Sequence, residues 1–190
     1  LIFTSGINIY ILLAIFIAGA SLLTYLIIYV PRFDYIQGRI FSFFNRETGT
    51  HNFQSDKAIE SITSGGFFGK GIGEGVLKNR VPEAHTDYII SVISEEFGVV
   101  AIMLILLLFL ILIYMVFKKI SFETNDKAKL ILIGSISLIL MQATIHIGVN
   151  IRLFPTTGMT LPFLSYGGSS IISTSILAGI ILNLTKRKIT

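Results

Sequence analysis

Cysteine is absent from this sequence, and charged residues are scarce. The lack of cysteine excludes disulfide bridges and thiolate zinc sites, although it does not identify the compartment. Asp, Glu, Lys and Arg together make up 14% of the 190 residues, whereas an ordinary soluble domain has about 25%. The net charge is only +4 and forms no basic patch of the kind that binds nucleic acid. We therefore expect no nucleic-acid partner.

Hydrophobic residues are correspondingly abundant, at 53% of the chain, and the mean hydropathy is +0.79. A chain this short and apolar has too little polar surface to stay soluble, so a bilayer is its expected solvent. We expect no cleavable signal peptide in this sequence, because the first apolar run is too long for an h-region and follows no basic n-region. The chain begins at Leu1 and enters an apolar run almost at once, so we expect a piece of a longer protein.

Four uncharged stretches are long enough to cross a bilayer, which takes about 20 apolar residues. They predict an all-α integral membrane protein, with a single membrane domain over the whole chain. The predicted spans cover approximately residues 9–30, 87–117, 130–150 and 165–184; the second is uncharged only from Phe97 to Phe117, and its helix is expected to begin earlier, near Asp87. The first two spans are separated by a long loop, residues 31–86, which is too rich in aromatic and aliphatic residues to be simply disordered.

Basic residues near the membrane ends predict the orientation of the spans. Four lysines lie between the second and third spans, and three basic residues follow the fourth span, whereas the short connection after the third span has only Arg152. The connection 118–129 and the C-terminus are therefore expected in the cytoplasm. The long loop and the segment 152–162 are then expected together on the outer face.

The long loop contains two helical patterns. The first is an apolar stripe flanked by basic residues, which fits either a helix in the headgroup layer or a helix packed on the rest of the protein. Its members are Phe33, Ile36, Ile40, Phe43 and Phe44. The second pattern covers residues 54–64, where we expect Ile59 and Ile62 to face inward.

A glycine-rich stretch, residues 64–75, invites a nucleotide-binding interpretation. It does not fit a P-loop, because Gly71 follows Lys70 where Ser or Thr is required, and no window fits G-x-G-x-x-G. We expect instead a tight external loop whose backbone lies close to a ligand or to a helix.

The densest polar cluster beside a span is residues 82–87, Pro-Glu-Ala-His-Thr-Asp. Asp87 is expected to begin the second span at the outer membrane boundary, with Ser91 and Glu95 on the same helical face. A carboxylate at this position suits general-base chemistry, because it can take a proton from an attacking hydroxyl within hydrogen-bond reach. We therefore predict a functional role for Asp87.

Two further acidic residues, Glu95 and Glu96, fall inside the predicted second span. An acidic residue inside a span costs about 2.5–3.5 kcal/mol on insertion scales, unless it faces a cavity or a cation. We favour a structural interpretation, in which these carboxylates pair with a basic residue of another span.

The third span contains Gln142 and His146, one helical turn apart. We favour an interhelical hydrogen bond as their role. His51, His85 and His146 are scattered along the chain and form no H-E-x-x-H set, so a zinc site is not expected.

The last span is preceded by an irregular segment, because residues 161–170 read Leu-Pro-Phe-Leu-Ser-Tyr-Gly-Gly-Ser-Ser. Irregular backbone at membrane depth must line a cavity or be buried in protein. Since this segment is predicted on the same face as Asp87, the two elements could form one site together.

Three sequence blocks resemble the SEDS family (shape, elongation, division and sporulation), which includes FtsW and RodA. They are QSDKAIESITSGGFFGKGIGEG at 54–75, PEAHTDYIISVISEEFG at 82–98 and GVNIRLFPTTGMTLPFLSYGGSS at 148–170, in the family's order. Ala84 and Thr160 are more similar to the FtsW branch than to the RodA branch. Two departures are mild: Phe67 stands where the family often has Trp, and Tyr88 where it usually has Phe.

The resemblance implies ten spanning helices, of which this chain would supply the last four. It implies polymerisation of lipid II, an undecaprenyl-pyrophosphate-linked disaccharide-pentapeptide, into septal glycan strands at the outer face of the bacterial plasma membrane. Asp87 matches the family's essential acidic residue, which is expected to deprotonate the 4-hydroxyl of the acceptor sugar. The implied partners are a class B penicillin-binding protein transpeptidase and other division proteins.

The remaining site predictions concern substrate contacts. Three cations on the outer face could meet the pyrophosphate, and three polar residues near Asp87 are further candidates. The predicted substrate-binding residues are Lys78, Arg80, Glu83, His85, Arg152 and Ser165. No metal-ligating residue is predicted and no cofactor is certain, although a divalent cation stays open. The alternative functions are a lipid II flippase, or a non-catalytic division scaffold that recruits the transpeptidase.

Overall fold

The computed structural model describes residues 8–45, 50–81 and 84–186, and within these ranges the regular structure is entirely helical. A 3₁₀ turn at Pro31–Phe33 precedes the second helix. The helices are α1 (Ile9–Tyr29), α2 (Asp34–Asn45), α3 (Thr50–Gly65), α4 (Leu77–Arg80), α5 (Ile89–Phe122), α6 (Asp126–Asn150) and α7 (Gly168–Thr185).

Four of these helices, α1, α5, α6 and α7, are long and apolar enough to cross a membrane. The prediction of an all-α membrane protein with four spanning helices is therefore confirmed. α5 continues past its predicted span to Phe122, and α6 begins before its predicted span at Asp126, because polar residues also join these helices. The side chain of Asn125 caps α6 by accepting a hydrogen bond from the Lys127 amide, so that helix begins at Asp126. α7 begins only at Gly168, because the residues before it form turns and extended backbone.

The chain divides into two compact units, Leu1–Asn52 and Phe53–Thr190. The first unit contains α1, the 3₁₀ turn and α2, and it confirms the helix predicted from the first apolar stripe. On α2 the Arg39 guanidinium lies 4.3 Å from the centre of the Tyr35 ring, and the Phe41 and Phe44 side chains are exposed. A position in the headgroup layer stays a prediction.

The second unit contains most of α3 and all of α4 to α7, and α3 packs in it through small residues. Ser55, Ala58 and Ser61 are buried, whereas Ile59 and Ile62 are only partly buried. The expectation that the two isoleucines face inward is therefore met only in part, because the most buried positions are small residues. Small side chains face inward because the backbone approaches α5 closely: a methyl group on Gly65 would lie 2.0 Å from the Ser94 carbonyl oxygen.

The long helix α5 is broken at Gly98, whose φ of 76° and ψ of −175° are not helical. A continuous helix of 34 residues would be about 51 Å long, well beyond the roughly 30 Å hydrocarbon core. The part that follows the break, 99–122, is about 36 Å long and suffices to cross the bilayer. The part before the break, 89–97, therefore belongs with the loop structure.

The glycine-rich loop fills the break in α5. In an unbroken helix, the amides of Val99 and Val100 would donate to the carbonyls four residues earlier. Here the Val99 amide donates to the Gly66 carbonyl at 3.0 Å, and the Val100 amide to the Phe67 carbonyl at 3.3 Å. The loop thus satisfies the amides that the break releases.

The carbonyls released by the break are satisfied by the same loop. The Glu95 carbonyl accepts from the Lys70 amide at 2.8 Å, and the Glu96 carbonyl accepts from the Gly71 amide at 3.0 Å. The inserted loop thus restores four backbone hydrogen bonds that the break removes, and an unpaired buried backbone group would be costly. The prediction that this loop lies close to a helix is confirmed.

Candidate functional site

Asp87 lies in a turn, residues 84–88, and its side chain is partly buried. α5 begins two residues later, and the backbone of Tyr88 (φ −121°, ψ 25°) is not helical. The prediction that Asp87 begins the helix and shares a face with Ser91 and Glu95 is therefore wrong. The Tyr88 ring is buried and its hydroxyl lies 3.4 Å from the Ser55 hydroxyl, so the turn is held against α3.

The segment that follows α6 passes beside the Asp87 carboxylate. A methyl group on Gly158 would lie 3.7 Å from Asp87 Oδ2, and Gly158 has a φ of +71°. An added methyl group would thus have room, and it is the positive φ that favours glycine here.

The segment before α7 is hydrogen-bonded to the turn that carries Asp87. The Ser165 hydroxyl donates to the Thr86 carbonyl at 2.7 Å and accepts from the Leu161 amide at 2.8 Å. The Tyr166 amide donates to the His85 carbonyl at 3.1 Å. The two irregular elements expected on one face do come together in the structure.

Asn150, the last residue of α6, is a site residue that the sequence analysis missed. Its Nδ2 donates to the Asp87 carbonyl and to the His146 carbonyl, both at 2.9 Å. Its Oδ1 accepts from the Ser91 hydroxyl at 2.7 Å and from the Ser91 amide at 3.2 Å. Asn150 is fully buried. Its one visible signal was an amide side chain at the end of an apolar span.

His146 and Gln142 occupy the same face of α6 as Asn150. His146 Nδ1 lies 2.7 Å from the Met159 carbonyl oxygen. Gln142 Nε2 donates to the Thr160 carbonyl at 2.9 Å and to the Ser170 hydroxyl at 3.0 Å. The contact with Ser170 confirms the expected interhelical hydrogen bond, and the other two hold the segment beside Asp87.

The Glu95 carboxylate holds the glycine-rich loop and the start of α4. Its Oε1 lies 2.8 Å from Lys70 Nζ, and its Oε2 accepts from the Val76 and Leu77 amides at 3.1 and 3.0 Å. Glu95 is 2% exposed, while Lys70 is 37% exposed. The expected structural pairing is confirmed, but the cation comes from the loop and not from another span.

Of the predicted pyrophosphate ligands, Lys78 lies in a similar ion pair. Its Nζ lies 2.9 Å from Glu96 Oε1 and donates to the Gly73 carbonyl at 2.7 Å. Arg152 is paired with Asp56 of α3. Both cations thus already have carboxylate partners within the protein.

The other predicted substrate ligands have different surroundings. Arg80, at the end of α4, and the His85 side chain are exposed. Glu83 lies outside the described residues. Among the residues that are described, no group of three or more His, Asp or Glu side chains is placed to hold a metal ion.

Two non-glycine residues with positive φ border the segment after α6. They are Arg152, with φ 59°, and Phe163, with φ 67°. Such conformations are uncommon for bulky residues, and they concentrate at functional sites, where surrounding contacts hold them. Here the ion pair with Asp56 and the hydrogen bonds of Ser165 hold the two ends.

Comparison with known proteins relates this chain to one family. A family model described as FTSW_RODA_SPOVE, cell cycle protein, matches residues 1–189. A probable peptidoglycan glycosyltransferase FtsW of Enterococcus hirae is 41% identical over 138 residues, 72% of this chain and 35% of the relative. Proteins of the same name are 39% identical in Caulobacter vibrioides, over 82% of this chain and 40% of the relative, and 36% identical in Geobacter metallireducens, over 90% and 47%.

The fold also resembles a solved structure. A chain from work on "structural coordination of polymerization and crosslinking by a peptidoglycan synthase complex" superposes with a TM-score of 0.70 and 27% identity, over 97% of this chain and 50% of that one. This chain therefore spans about half of the solved chain, and less than half of the three relatives. The family match and these identities show that the chain belongs to the FtsW/RodA/SpoVE family of cell cycle proteins.

Proposed function

We propose that the protein containing this chain is a peptidoglycan glycosyltransferase that polymerises lipid II, with Asp87 as its general base. One observation carries the proposal: a partly buried carboxylate lies where two irregular segments at one end of the spanning helices meet. Relatives of this chain are named probable peptidoglycan glycosyltransferases. The lipid-linked substrate would reach such a site from the membrane.

The proposed reaction needs one proton acceptor and one leaving group. The Asp87 carboxylate takes the proton from the 4-hydroxyl of the acceptor sugar, and this oxygen attacks the anomeric carbon of the donor. The bond from that carbon to the pyrophosphate breaks, and undecaprenyl pyrophosphate leaves with the electron pair. A positioned base contributes about 10²–10⁴-fold to such a step.

The leaving pyrophosphate needs positive charge near it. Arg80 is the best candidate in this chain, because it is exposed and, within the described residues, has no carboxylate within ion-pair distance. Lys78 and Arg152 would have to exchange their carboxylate partners for phosphate. We propose that any divalent cation in the reaction is held by the pyrophosphate. Removal of divalent cations with a chelator tests whether the reaction needs one.

The partner and the location follow from the same proposal. We propose a class B penicillin-binding protein as the transpeptidase partner, other division proteins at the septum, and a site on the outer face of the plasma membrane. The similar solved chain comes from a peptidoglycan synthase complex, which supports a transpeptidase partner. The basic residues of the 118–129 connection support the orientation.

The test is polymerisation of lipid II by the purified full-length protein in detergent. Detergent abolishes sidedness, so glycan chains form only if the protein is a polymerase and not a flippase. Asp87→Asn is expected to lower the rate at least about 100-fold, with folding and transpeptidase binding unchanged. The matched control is Asp126→Asn, which changes a carboxylate that is 91% exposed at the start of α6.

Three outcomes would oppose the proposal. Normal polymerisation by Asp87→Asn would remove Asp87 from the reaction. Lipid II transport in vesicles, without glycan synthesis in detergent, would favour the flippase. Recruitment of the transpeptidase by a wild-type protein that forms no glycan would favour the scaffold.

A further inference from the structure

We infer that Asn150 is a positioning residue that sets the place of the Asp87 carboxylate for proton transfer. The inference rests on the proposed function of Asp87 as a base. Asn150 contacts the backbone of Asp87 and not its carboxylate, so it would act through the position of the turn and would not contact the substrate.

The hydrogen bonds of Asn150 use its whole side chain. Nδ2 donates two hydrogen bonds and Oδ1 accepts two, which satisfies both donors and both acceptor lone pairs of a buried amide. The two groups that bond Oδ1 belong to Ser91, in the first turn of α5. One side chain therefore joins the end of α6, the start of α5 and the Asp87 peptide.

The same face of α6 also contacts the segment that runs beside the carboxylate. His146, one turn before Asn150, has Nδ1 2.7 Å from the Met159 carbonyl oxygen. Met159 follows Gly158, the residue whose backbone passes beside Asp87 Oδ2. α6 thus holds both the peptide that carries the base and the segment that borders it.

This arrangement predicts a specific kinetic effect. A shift of about 1 Å in a reacting group can lower the rate about 100-fold, while substrate contacts made elsewhere persist. Substitution of Asn150 should therefore lower kcat and leave the KM for lipid II nearly unchanged. A general loss of folded protein would instead lower the fraction of active enzyme and leave the kcat of each folded molecule unchanged.

Asn150→Asp is the sharpest variant, because it keeps the shape and the acceptor toward Ser91. The second carboxylate oxygen would face the Asp87 and His146 carbonyls, where Asn150 has donors. As the pH falls, the introduced carboxyl protonates and regains one O–H donor. The titratable groups beside it are Asp87 in the turn and His146 on α6.

In the full-length protein with lipid II, we expect Asn150→Asp to lower kcat about 10- to 100-fold at pH 8, with KM changed less than about twofold. Relative to wild type, its kcat should recover several-fold toward pH 5.5. This direction is opposite to that of a carboxylate base, which loses activity as it protonates. Asn150→Leu, of similar size and without charge, should show the same loss without recovery.

Two controls lie on the same helix. Asn125→Asp makes the identical change at the other end of α6, where aspartate also caps a helix, and should keep wild-type kinetics. Leu132→Ala empties a fully buried position and should lower the thermal midpoint while the kcat of the remaining folded protein and its pH profile stay normal.

The outcomes separate this inference from the proposed function. If Asp87→Asn is inactive and both Asn150 variants have wild-type kcat, only the positioning role is wrong. A loss without acid recovery in Asn150→Asp, or equal changes of kcat and KM in Asn150→Leu, would also overturn it. If Asp87→Asn stays active, the base assignment itself fails.

Discussion

The Ser165 hydroxyl lies between two backbone groups: it donates to the Thr86 carbonyl at 2.7 Å and accepts from the Leu161 amide at 2.8 Å. Ser165 is 4% exposed. The hydroxyl predicted to bind substrate therefore joins the segment before α7 to the peptide that precedes Asp87. Its effect on the reaction would pass through the position of that turn.

Ser165→Ala should lower the free energy of unfolding by about 1–3 kcal/mol, because the buried Leu161 amide and the partly buried Thr86 carbonyl each lose a hydrogen bond. Thermal unfolding of the purified protein measures the change. The control is Ser173→Ala, because the exposed Ser173 hydroxyl donates to the Ser169 carbonyl of its own helix. An unchanged midpoint together with a raised KM for lipid II would favour substrate contact instead.

Gly98→Ala should lower the free energy of unfolding by about 3 kcal/mol or more, because only glycine adopts this backbone region readily. The added methyl group would also lie 2.2 Å from the Phe67 carbonyl oxygen. Protease cleavage of the glycine-rich loop should accelerate. Gly179→Ala is the control, since a methyl there meets nothing within 4 Å and helix propensity rises. Equal midpoints for the two variants would contradict the described break in α5.

Glu95→Gln should lower the free energy of unfolding by about 3 kcal/mol, at the lower end for a buried ion pair because Lys70 is partly exposed. The introduced amide oxygen can still accept from the Val76 and Leu77 amides, but the amide NH2 cannot accept from Lys70 Nζ, so the loss falls on the loop. Glu60→Gln is the control: the Lys57 hydrogen bond lowers the pKa of Glu60, but that carboxylate is exposed, so no measurable change is expected. Similar midpoints for both variants would refute the anchoring role of Glu95.

Single-cysteine labelling tests the predicted orientation, and the absence of native cysteine in this chain makes it simple. A cysteine introduced by His85→Cys should react with a membrane-impermeant thiol reagent in intact cells. One introduced by Ala128→Cys, in the first turn of α6, should react only after the membrane is opened. Labelling in the reverse order would place Asp87 in the cytoplasm, where it could not meet an outer-face sugar.

Much of the fold was predictable because it depends on local composition. Long uncharged runs predicted four spanning helices, and the apolar stripe from Phe33 to Phe44 predicted α2. Inward faces were harder to predict. α3 buries Ala58 and leaves Ile59 only partly buried, because close approach between helices favours small residues over apolar volume.

The candidate site was predictable only in part. The motif around Asp87 and the irregular segment at Ser165 were both identified, and the structure brings them together. Asn150 was missed, because a single amide at a helix end has no distinctive pattern in the sequence. Glu95 was expected to pair with another span. Its partner in the structure, Lys70, could not be predicted, because the insertion of the glycine-rich loop depends on backbone geometry at Gly98.

Local sequence alone determined the membrane class, the number of spanning helices and the presence of a carboxylate beside a span. These properties follow from apolar run length and residue type, which need no distant contact. Only the tertiary structure decided that Asp87 precedes its helix and that Asn150 holds its peptide. It also decided that Lys70 and Lys78 neutralise the neighbouring carboxylates of Glu95 and Glu96. Those outcomes depend on hydrogen bonds between residues far apart in the chain, and chain folding brings their partners together.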